Sequence, residues 1–140
     1  MKNLVVYLTF PGNCEEALNF YKKALGGEII MKQTFGESPM PSEESAKNRI
    51  MHSQFKADEI FFMASDSMPG QTIHPGENVS LSINFTDENE LARIFNALAE
   101  GGNVTMPLQD TYWNARFGML RDKYGIAWML NYDKPQPKTA

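Results

Sequence analysis

LTFPGNCEEALNFYKKALGGEI, residues 8–29, decides the fold, because the chain repeats its pattern later as INFTDENELARIFNALAEGGNV, residues 83–104. The period of an α-helix produces no coincidence at that distance. We therefore interpret the two stretches as copies of one supersecondary unit. The alternative is a chance match between two amphipathic helices that each end in Gly-Gly. With a shift of 75 residues, the matched pairs are Leu8 with Ile83, Phe10 with Phe85, Glu15 with Glu90, Ala17 with Ala92, Phe20 with Phe95, and Gly26-Gly27 with Gly101-Gly102.

Each copy shows the pattern of one strand, one helix and three more strands. In the first copy an apolar run ends at Pro11-Gly12, and Asn13 begins a helix with Glu16 in the capping-box position. The predicted fold class is therefore α+β, with two βαβββ modules whose sheets curl around a cleft. We expect a single domain over residues 1–140, with module 1 at 1–66, a Pro-Gly-rich linker at 67–77, module 2 at 78–133 and a flexible tail at 134–140.

Composition excludes several classes of function. The 140 residues carry a formal net charge of −4 without a cluster of Lys and Arg, so nucleic acid is a poor partner. The single cysteine, Cys14, excludes an internal disulfide and favours a cytoplasmic protein. The short apolar run after Met1 predicts neither export nor membrane insertion.

Three stretches resemble the vicinal oxygen chelate superfamily, which includes glyoxalases, extradiol dioxygenases and bleomycin-resistance proteins. They are Ala17–Tyr21 with Leu25-Gly26-Gly27, the turn Gly101–Val104, and the hairpin Asp122–Gly125. Within it the chain is similar to the PhnB-like proteins, through Pro107–Asp110, Trp113–Gly118 and Tyr124–Trp128. The resemblance covers nearly the whole chain and implies the glyoxalase/bleomycin-resistance fold.

The resemblance also implies where metal ligands would stand, on the first and last strands of each module. Those positions fall on about Val5, Ser80 and Met129, with a fourth near Met63 to Ser65. Because Val, Met and neutral Ser do not supply the donors of a divalent zinc or nickel site, we expect no metal and no cofactor. The methyltransferase name common in the PhnB-like group is not supported either, because the turn Pro11-Gly12-Asn13 is not a Gly-rich S-adenosylmethionine turn.

Candidate ligand-binding residues come from strand alternation. His52 and Gln54 share one face of their strand, and His52 is either a cavity-lining hydrogen-bonding residue, a structural histidine or a ligand. Ser80 and Ser82 lie on the polar face of the first strand of the second copy. The repeat carries Tyr7 to the same face in the first copy. His74 is expected to be solvated.

Three further residues complete the candidates. Trp113 and Arg116 lie between a turn and a strand, and either contact a ligand or serve structure, Trp113 as a plug and Arg116 in an ion pair. An Arg aimed into an apolar cleft would favour an anionic or carbonyl-bearing ligand. Cys14 stands just inside a helix N-terminus, a position that can lower the pKa of a thiol and give it some reactivity. A catalytic nucleophile is disfavoured, because neither His52 nor His74 is near Cys14 in the sequence.

Two functional hypotheses remain open. The first is a metal-independent protein that binds a small molecule through Tyr7, His52, Trp113 and Arg116, together with Gln54, Ser80 and Ser82. The second is a lyase or isomerase in which His52 is a catalytic general base on a carbonyl substrate. A third, a subunit of an assembly without a ligand, carries less support. The resemblance also implies a homodimer.

Overall fold

The first module is a four-stranded sheet with one helix on one face. In the computed structural model, which describes residues 1–39 and 41–136, it consists of β1 (Val6–Phe10), α1 (Cys14–Leu25), β2 (Glu28–Thr34), β3 (Ile50–Ala57) and β4 (Ile60–Asp66). The strand order is β1-β4-β3-β2, with β1 parallel to β4 and the other neighbours antiparallel. The long segment between β2 and β3 contains one 3-10 turn, at Glu44–Ala46.

The second module repeats this topology. It consists of β5 (Leu81–Phe85), α2 (Glu88–Ala99), β6 (Asn103–Asp110), β7 (Ala115–Arg121) and β8 (Ala127–Asp133), in the order β5-β8-β7-β6. The chain divides into two compact units between His74 and Pro75. The predicted α+β class and the two βαβββ modules are confirmed. The exact limits of the modules and of the linker at 67–77 stay a prediction.

Each sheet has one face covered by its own helix. In the first module Tyr21 of α1 is fully buried and meets the ring of Phe62 edge-on, with ring centroids 5.7 Å apart. Phe55 stacks on Phe62 with centroids 4.8 Å apart. Complete burial of an aromatic side chain of this kind contributes about 1.5–3 kcal/mol. The other face of the sheet carries its polar side chains, and is called here the open face.

The two helices correspond to each other with a shift one residue smaller than the 75 residues inferred from the sequence. β1 and β5 keep the shift of 75 residues, since Phe10 and Phe85 both end their strands and are buried. The buried helix positions do not, because Tyr21 rather than Phe20 corresponds to Phe95. The reason is the connection before the helix, which has three residues in the first module and two in the second.

The two Gly-Gly pairs explain why the repeat is visible in the sequence. Gly26 ends α1 with φ at 76°, in the left-handed region that favours glycine. A Cβ on Gly27 would collide with the carbonyl oxygen of Lys56, so the close approach of this residue to β3 requires glycine. A Cβ on Gly102 would collide with the carbonyl oxygen of Arg121 in the same way.

No helix within the described residues is both long and apolar enough to cross a membrane. Lys134 donates its backbone N–H to the Asn114 carbonyl and accepts a hydrogen bond from the Asn114 side chain, and its ammonium lies 2.8 Å from Asp110. Residues 137–140 of the predicted flexible tail lie outside the described residues.

Candidate functional site

Tyr7, His52 and Gln54 meet on the open face of the first sheet. Tyr7 of β1 and Gln54 of β3 both pair in register with Met63 of the intervening strand β4. Neighbouring positions Leu8 and Phe55 are buried on the helix-covered face, so strand alternation turns Tyr7 and Gln54 the other way. His52 lies two residues before Gln54 and shares its face.

The three side chains are linked by hydrogen bonds through the imidazole ring. The Tyr7 hydroxyl oxygen lies 3.0 Å from Nδ1 of His52, and the amide nitrogen of Gln54 lies 3.4 Å from Nε2. The rings of Tyr7 and His52 also stack, with centroids 5.7 Å apart. Tyr7 is 47% exposed, so its hydroxyl is within reach of a ligand. The arrangement combines a hydroxyl, an imidazole and an amide beside the thioether of Met63.

The serines of the second module lie on its own sheet. Ser82 of β5 is exposed on the open face and pairs in register with Met129 of β8. Ser80 stands just before the first residue of β5 and is also exposed. Neither takes part in the Tyr7–His52–Gln54 group, which belongs to the first unit.

Arg116 is held in ion pairs on the helix-covered side of the second sheet. Its guanidinium lies 3.2 Å from Asp110 and 3.8 Å from Glu88, the first residue of α2. Lys134 and then Arg116 lower the pKa of the exposed Asp110 carboxyl through hydrogen bonds. This geometry corresponds to the structural alternative for Arg116, and it leaves Arg116 away from the open face.

Trp113 lies in the loop between β6 and β7 and is 49% exposed. Its ring meets the edge of Phe117, with centroids 5.9 Å apart, and the exposed ring of Tyr112 packs against it at 4.9 Å. Phe117 is on the open face of the second sheet, opposite Asn131 of β8. Trp113 is therefore a candidate contact at the edge of that face, and its predicted ligand role stays a prediction.

The residues at the superfamily's metal positions do not fit a divalent cation. Met63 and Met129 lie on strands β4 and β8, while Val5 and Ser80 stand immediately before β1 and β5. Thioethers, an alkyl group and a neutral hydroxyl are poor ligands for zinc, nickel or manganese. Within residues 1–39 and 41–136, no three side chains of His, Cys, Asp or Glu gather as a possible metal site. His74 is exposed in the segment between the modules.

The idea that the helix N-terminus lowers the pKa of Cys14 is wrong. The thiol is fully buried, and burial together with the charge of Asp66 raises its pKa to about 12, although a hydrogen bond with Ser53 opposes that shift. The helix N-terminus does not lower the pKa, because the Asp66 carboxylate already occupies it. Asp66 accepts hydrogen bonds from the backbone N–H groups of Gly12 and Cys14, at 3.0 and 2.8 Å.

Asp66 is the organising residue that sequence reasoning missed. Its second carboxylate oxygen accepts from the N–H of Ile50, the first residue of β3, at 2.8 Å. One buried carboxylate therefore ties the start of α1 to β3, the strand that carries His52 and Gln54. The available signal was the position of an acid at the end of an apolar strand, where alternation turns it toward the helix.

The chain is similar to a known protein family and to a relative from Escherichia coli over nearly its whole length. The family described as 3-demethylubiquinone-9 3-methyltransferase matches residues 2–131. Protein YjdN of Escherichia coli is 35% identical over 142 aligned positions, which cover 94% of this chain and 95% of that protein.

Solved structures agree with the observed architecture. Protein PA1353 from Pseudomonas aeruginosa is 41% identical with a TM-score of 0.86, covering 96% of this chain and 100% of that one. A Bacillus cereus structure described as a putative 3-demethylubiquinone-9 3-methyltransferase, PhnB protein, is 30% identical with a TM-score of 0.75, covering 94% and 99%. A glyoxylase/bleomycin resistance protein/dioxygenase domain from Frankia shares the fold alone, at 15% identity and a TM-score of 0.70, covering 98% and 96%.

Proposed function

The chain belongs to the PhnB-like family of the vicinal oxygen chelate superfamily, and on that premise we propose that it binds a small molecule without a metal ion. The ligand contacts the open face of the first sheet, through Tyr7, His52 and Gln54. The observation that carries this proposal is the contact between the Tyr7 hydroxyl and His52 at 3.0 Å. Polar groups held in a fixed mutual geometry on a partly apolar surface are typical of ligand sites.

The surroundings of the three residues support an apolar ligand body. Met31 of β2 pairs with Gln54, and Met63 of β4 lies between Gln54 and Tyr7. Thioether side chains adapt to varied apolar shapes. Ser80, Ser82 and Trp113 remain proposed contacts in the second module, and the ligand is proposed to be anionic or carbonyl-bearing. The ion pairs of Arg116 favour its structural role.

We do not extend the methyltransferase description of the family to this chain. The usual S-adenosylmethionine site is a Gly-rich turn after the first strand of a parallel sheet. Here the turn after β1 contains Gly12, whose N–H donates to Asp66, and whose Cβ position is 3.1 Å from the Arg49 guanidinium. In that turn the N–H groups of Gly12 and Cys14 donate to Asp66, and the Arg49 guanidinium occupies the space beside Gly12, where a nucleotide-binding loop would hold a phosphate.

The proposal is tested by screening carbonyl compounds and carboxylates with ligand-observed NMR. Binding should weaken about tenfold in Tyr7→Phe and His52→Gln, since each loses one or two hydrogen bonds. The matched control is His74→Gln, which changes the exposed second histidine and should leave binding unchanged. Equal binding by all four proteins, wild type included, would place the ligand elsewhere and reject this site.

The enzymatic alternative is favoured by the same contact, because a hydrogen bond to Nδ1 orients the ring of His52 as a general base requires. In this case His52 removes a proton from the carbon beside a carbonyl group. The measurement is hydrogen–deuterium exchange at that carbon of test ketones in heavy water. Exchange that is lost in His52→Gln and retained in His74→Gln would favour the lyase or isomerase.

We also propose that the protein is a homodimer and acts in the cytoplasm. Large apolar side chains are exposed on the strands, including Val6, Ile30 and Val104, which is consistent with a partner surface. A buried, unpaired thiol suits a reducing compartment. Light scattering during size-exclusion chromatography tests the dimer, and a mass of one chain at micromolar concentration would reject it.

A further inference from the structure

We infer that Gln54 is a positioning residue that keeps the proton of His52 on Nδ1, and that the Tyr7 hydroxyl is thereby left to donate a hydrogen bond to a ligand oxygen. The inference rests on the proposed function, because it concerns the same open face. It names the ligand chemistry of that face: a carbonyl or carboxylate oxygen attached to an apolar body.

The Gln54 amide indicates which nitrogen of His52 carries the proton. Its nitrogen, which lies 3.4 Å from Nε2 of His52, can donate hydrogen bonds but cannot accept them. Nε2 must therefore accept in this contact. A neutral imidazole has one protonated and one unprotonated nitrogen, so the proton of His52 is on Nδ1.

The proton on Nδ1 determines the role of the Tyr7 hydroxyl. The Nδ1–H group donates to the Tyr7 hydroxyl oxygen over 3.0 Å, so Tyr7 accepts in this contact and keeps its own hydrogen for another partner. Within the described part of the chain, the Tyr7 hydroxyl makes no other hydrogen bond. Because Tyr7 is 47% exposed, that hydrogen can point toward a bound molecule. A hydroxyl that accepts one hydrogen bond is a stronger donor of the next.

The opposite tautomer would reverse the direction of the hydrogen bond between Tyr7 and His52. If Nε2 carried the proton, Nδ1 would accept the hydrogen of Tyr7, and the hydroxyl would offer only lone pairs to a ligand. The orientation of the Gln54 amide thus decides whether the Tyr7 hydroxyl has a hydrogen to offer a ligand. With that hydrogen free, a carbonyl or carboxylate oxygen can accept it, whereas an ammonium group, which only donates, cannot use it.

The apolar part of the ligand is indicated by the neighbours of these groups. Met63 lies in register between Tyr7 and Gln54, and Met31 lies on the other side of Gln54. The exposed ring of Phe61, also on β4, extends the same face. A flat hydrocarbon body bearing one acceptor oxygen satisfies both the hydroxyl and the thioethers.

The tautomer is measured directly by long-range proton–nitrogen correlation NMR of the imidazole rings. The chain has two histidines, so His52→Gln assigns the signals and exposed His74 serves as the internal reference. At mildly alkaline pH, where an ordinary imidazole is neutral, His52 should show the Nδ1–H pattern. Gln54→Met should lose this preference, and Gln54→Glu, whose carboxylate accepts, should convert His52 to the Nε2–H pattern.

Gln33→Met is the matched control. Gln33 pairs in register with His52 from the neighbouring strand β2. Its substitution should leave the tautomer of His52 unchanged, which separates the effect of the Gln54 amide from a general change of the surface. Thermal melts of all variants establish that they fold.

Binding is measured with three probes of one shape: acetophenone, benzoate and benzylamine. The neutral carbonyl and the carboxylate should shift the resonances of Tyr7 and His52, whereas the amine should not. Tyr7→Phe and Gln54→Glu should each weaken the acceptor probes about tenfold, as expected for one lost hydrogen bond. Comparing the binding of neutral acetophenone with that of anionic benzoate shows whether the ligand must carry a negative charge.

The outcomes separate the inference from the function on which it rests. An Nε2–H pattern in the wild type, or an Nδ1–H pattern that persists in Gln54→Met, overturns the role of Gln54. Stronger binding of benzylamine than of acetophenone overturns the ligand chemistry. A measured Nδ1–H tautomer with no shift of Tyr7 or His52 by any probe overturns the proposed function and leaves the positioning role of Gln54 established.

Discussion

At the scale of single residues, Cys14 shows how a neighbour reverses an expectation drawn from position. A helix N-terminus lowers the pKa of an exposed thiol. Here Asp66 satisfies the amide groups of that helix end, and its charge, added to complete burial, raises the pKa of Cys14 to about 12. The consequence is a thiol that is protonated and inert while the protein is folded.

This shift predicts a pH dependence of stability above the ordinary pKa of a thiol. In the unfolded chain the thiol ionises near its ordinary pKa of 9.0, and in the folded chain burial raises this pKa to about 12. The native state therefore holds more protons in this interval, and the free energy of unfolding falls as pH rises. From pH about 8 to about 10, the stability advantage of the wild type over Cys14→Ala should decrease by about 1.4 kcal/mol.

Urea unfolding of both proteins at each pH checks this, because the comparison cancels the other titrating groups. A difference that stays constant with pH would contradict the raised pKa. Alkylation of the native protein offers a second measurement, and it should proceed only at the rate of unfolding.

At the scale of elements, the two helices begin in different ways. The Asp87 side chain caps α2 by accepting hydrogen bonds from Asn89 and Glu90, at 2.8 and 3.4 Å. Asn13 occupies the same position before α1, but its side chain makes no capping bond. Instead, the side chain of Asp66, at the end of β4, accepts hydrogen bonds from the backbone N–H groups at the start of α1. The predicted Asn13 capping box is therefore wrong, and the cap of α1 is a tertiary contact.

Two substitutions at equivalent positions test this difference. Asp87→Ala should lower the free energy of unfolding by about 1 kcal/mol, the usual effect of removing an N-cap side chain. Asn13→Ala should change it by no more than about 0.5 kcal/mol, the usual range for an exposed position without such a bond. Chemical denaturation measures both, and each variant is the control for the other. An equal loss in both would show that Asn13 caps α1 in solution.

At the scale of the whole molecule, the superfamily scaffold is present, and poor metal ligands stand at the positions where the resemblance implies a metal site. Each module places a methionine on its last strand, Met63 on β4 and Met129 on β8. Val5 and Ser80 stand immediately before the first strands, β1 and β5. These thioether, alkyl and hydroxyl groups replace the nitrogen and carboxylate ligands that the resemblance implies.

This replacement predicts that divalent metals do not stabilise the protein. Protein purified without chelator should contain far less than one metal ion per chain, and the melting temperature should not change with zinc, nickel, manganese or iron(II). Elemental analysis and thermal melts measure this, because a bound ligand raises the melting temperature by mass action. His74→Gln is the control that removes weak surface binding. Near-stoichiometric metal with a raised melting temperature would contradict the prediction.

Much of the architecture was predictable because the interactions that specify it are local. The hairpin turn at Asp58, where φ is 51°, and the strands on either side follow from alternation and turn residues. The site was only partly predictable. Alternation placed His52 and Gln54 on one face of their strand, but the contact of Tyr7 with His52 depends on the pairing of β1, β3 and β4, which no local pattern specifies.

What the amino-acid sequence determined by itself is the repeat: two helices with apolar sides, strands with alternating faces, and glycine at the left-handed and crowded positions of Gly26 and Gly27. These features act over a few residues, so their chemistry can be read along the chain. Tertiary structure decided the rest. Burial and the charge of Asp66 raise the pKa of Cys14, and Asp66 also caps α1. Arg116 forms ion pairs, and Tyr7 contacts His52 across the sheet. The reason is that hydrogen bonds and charges act between groups that are close in space, and folding brings these groups together from distant parts of the chain.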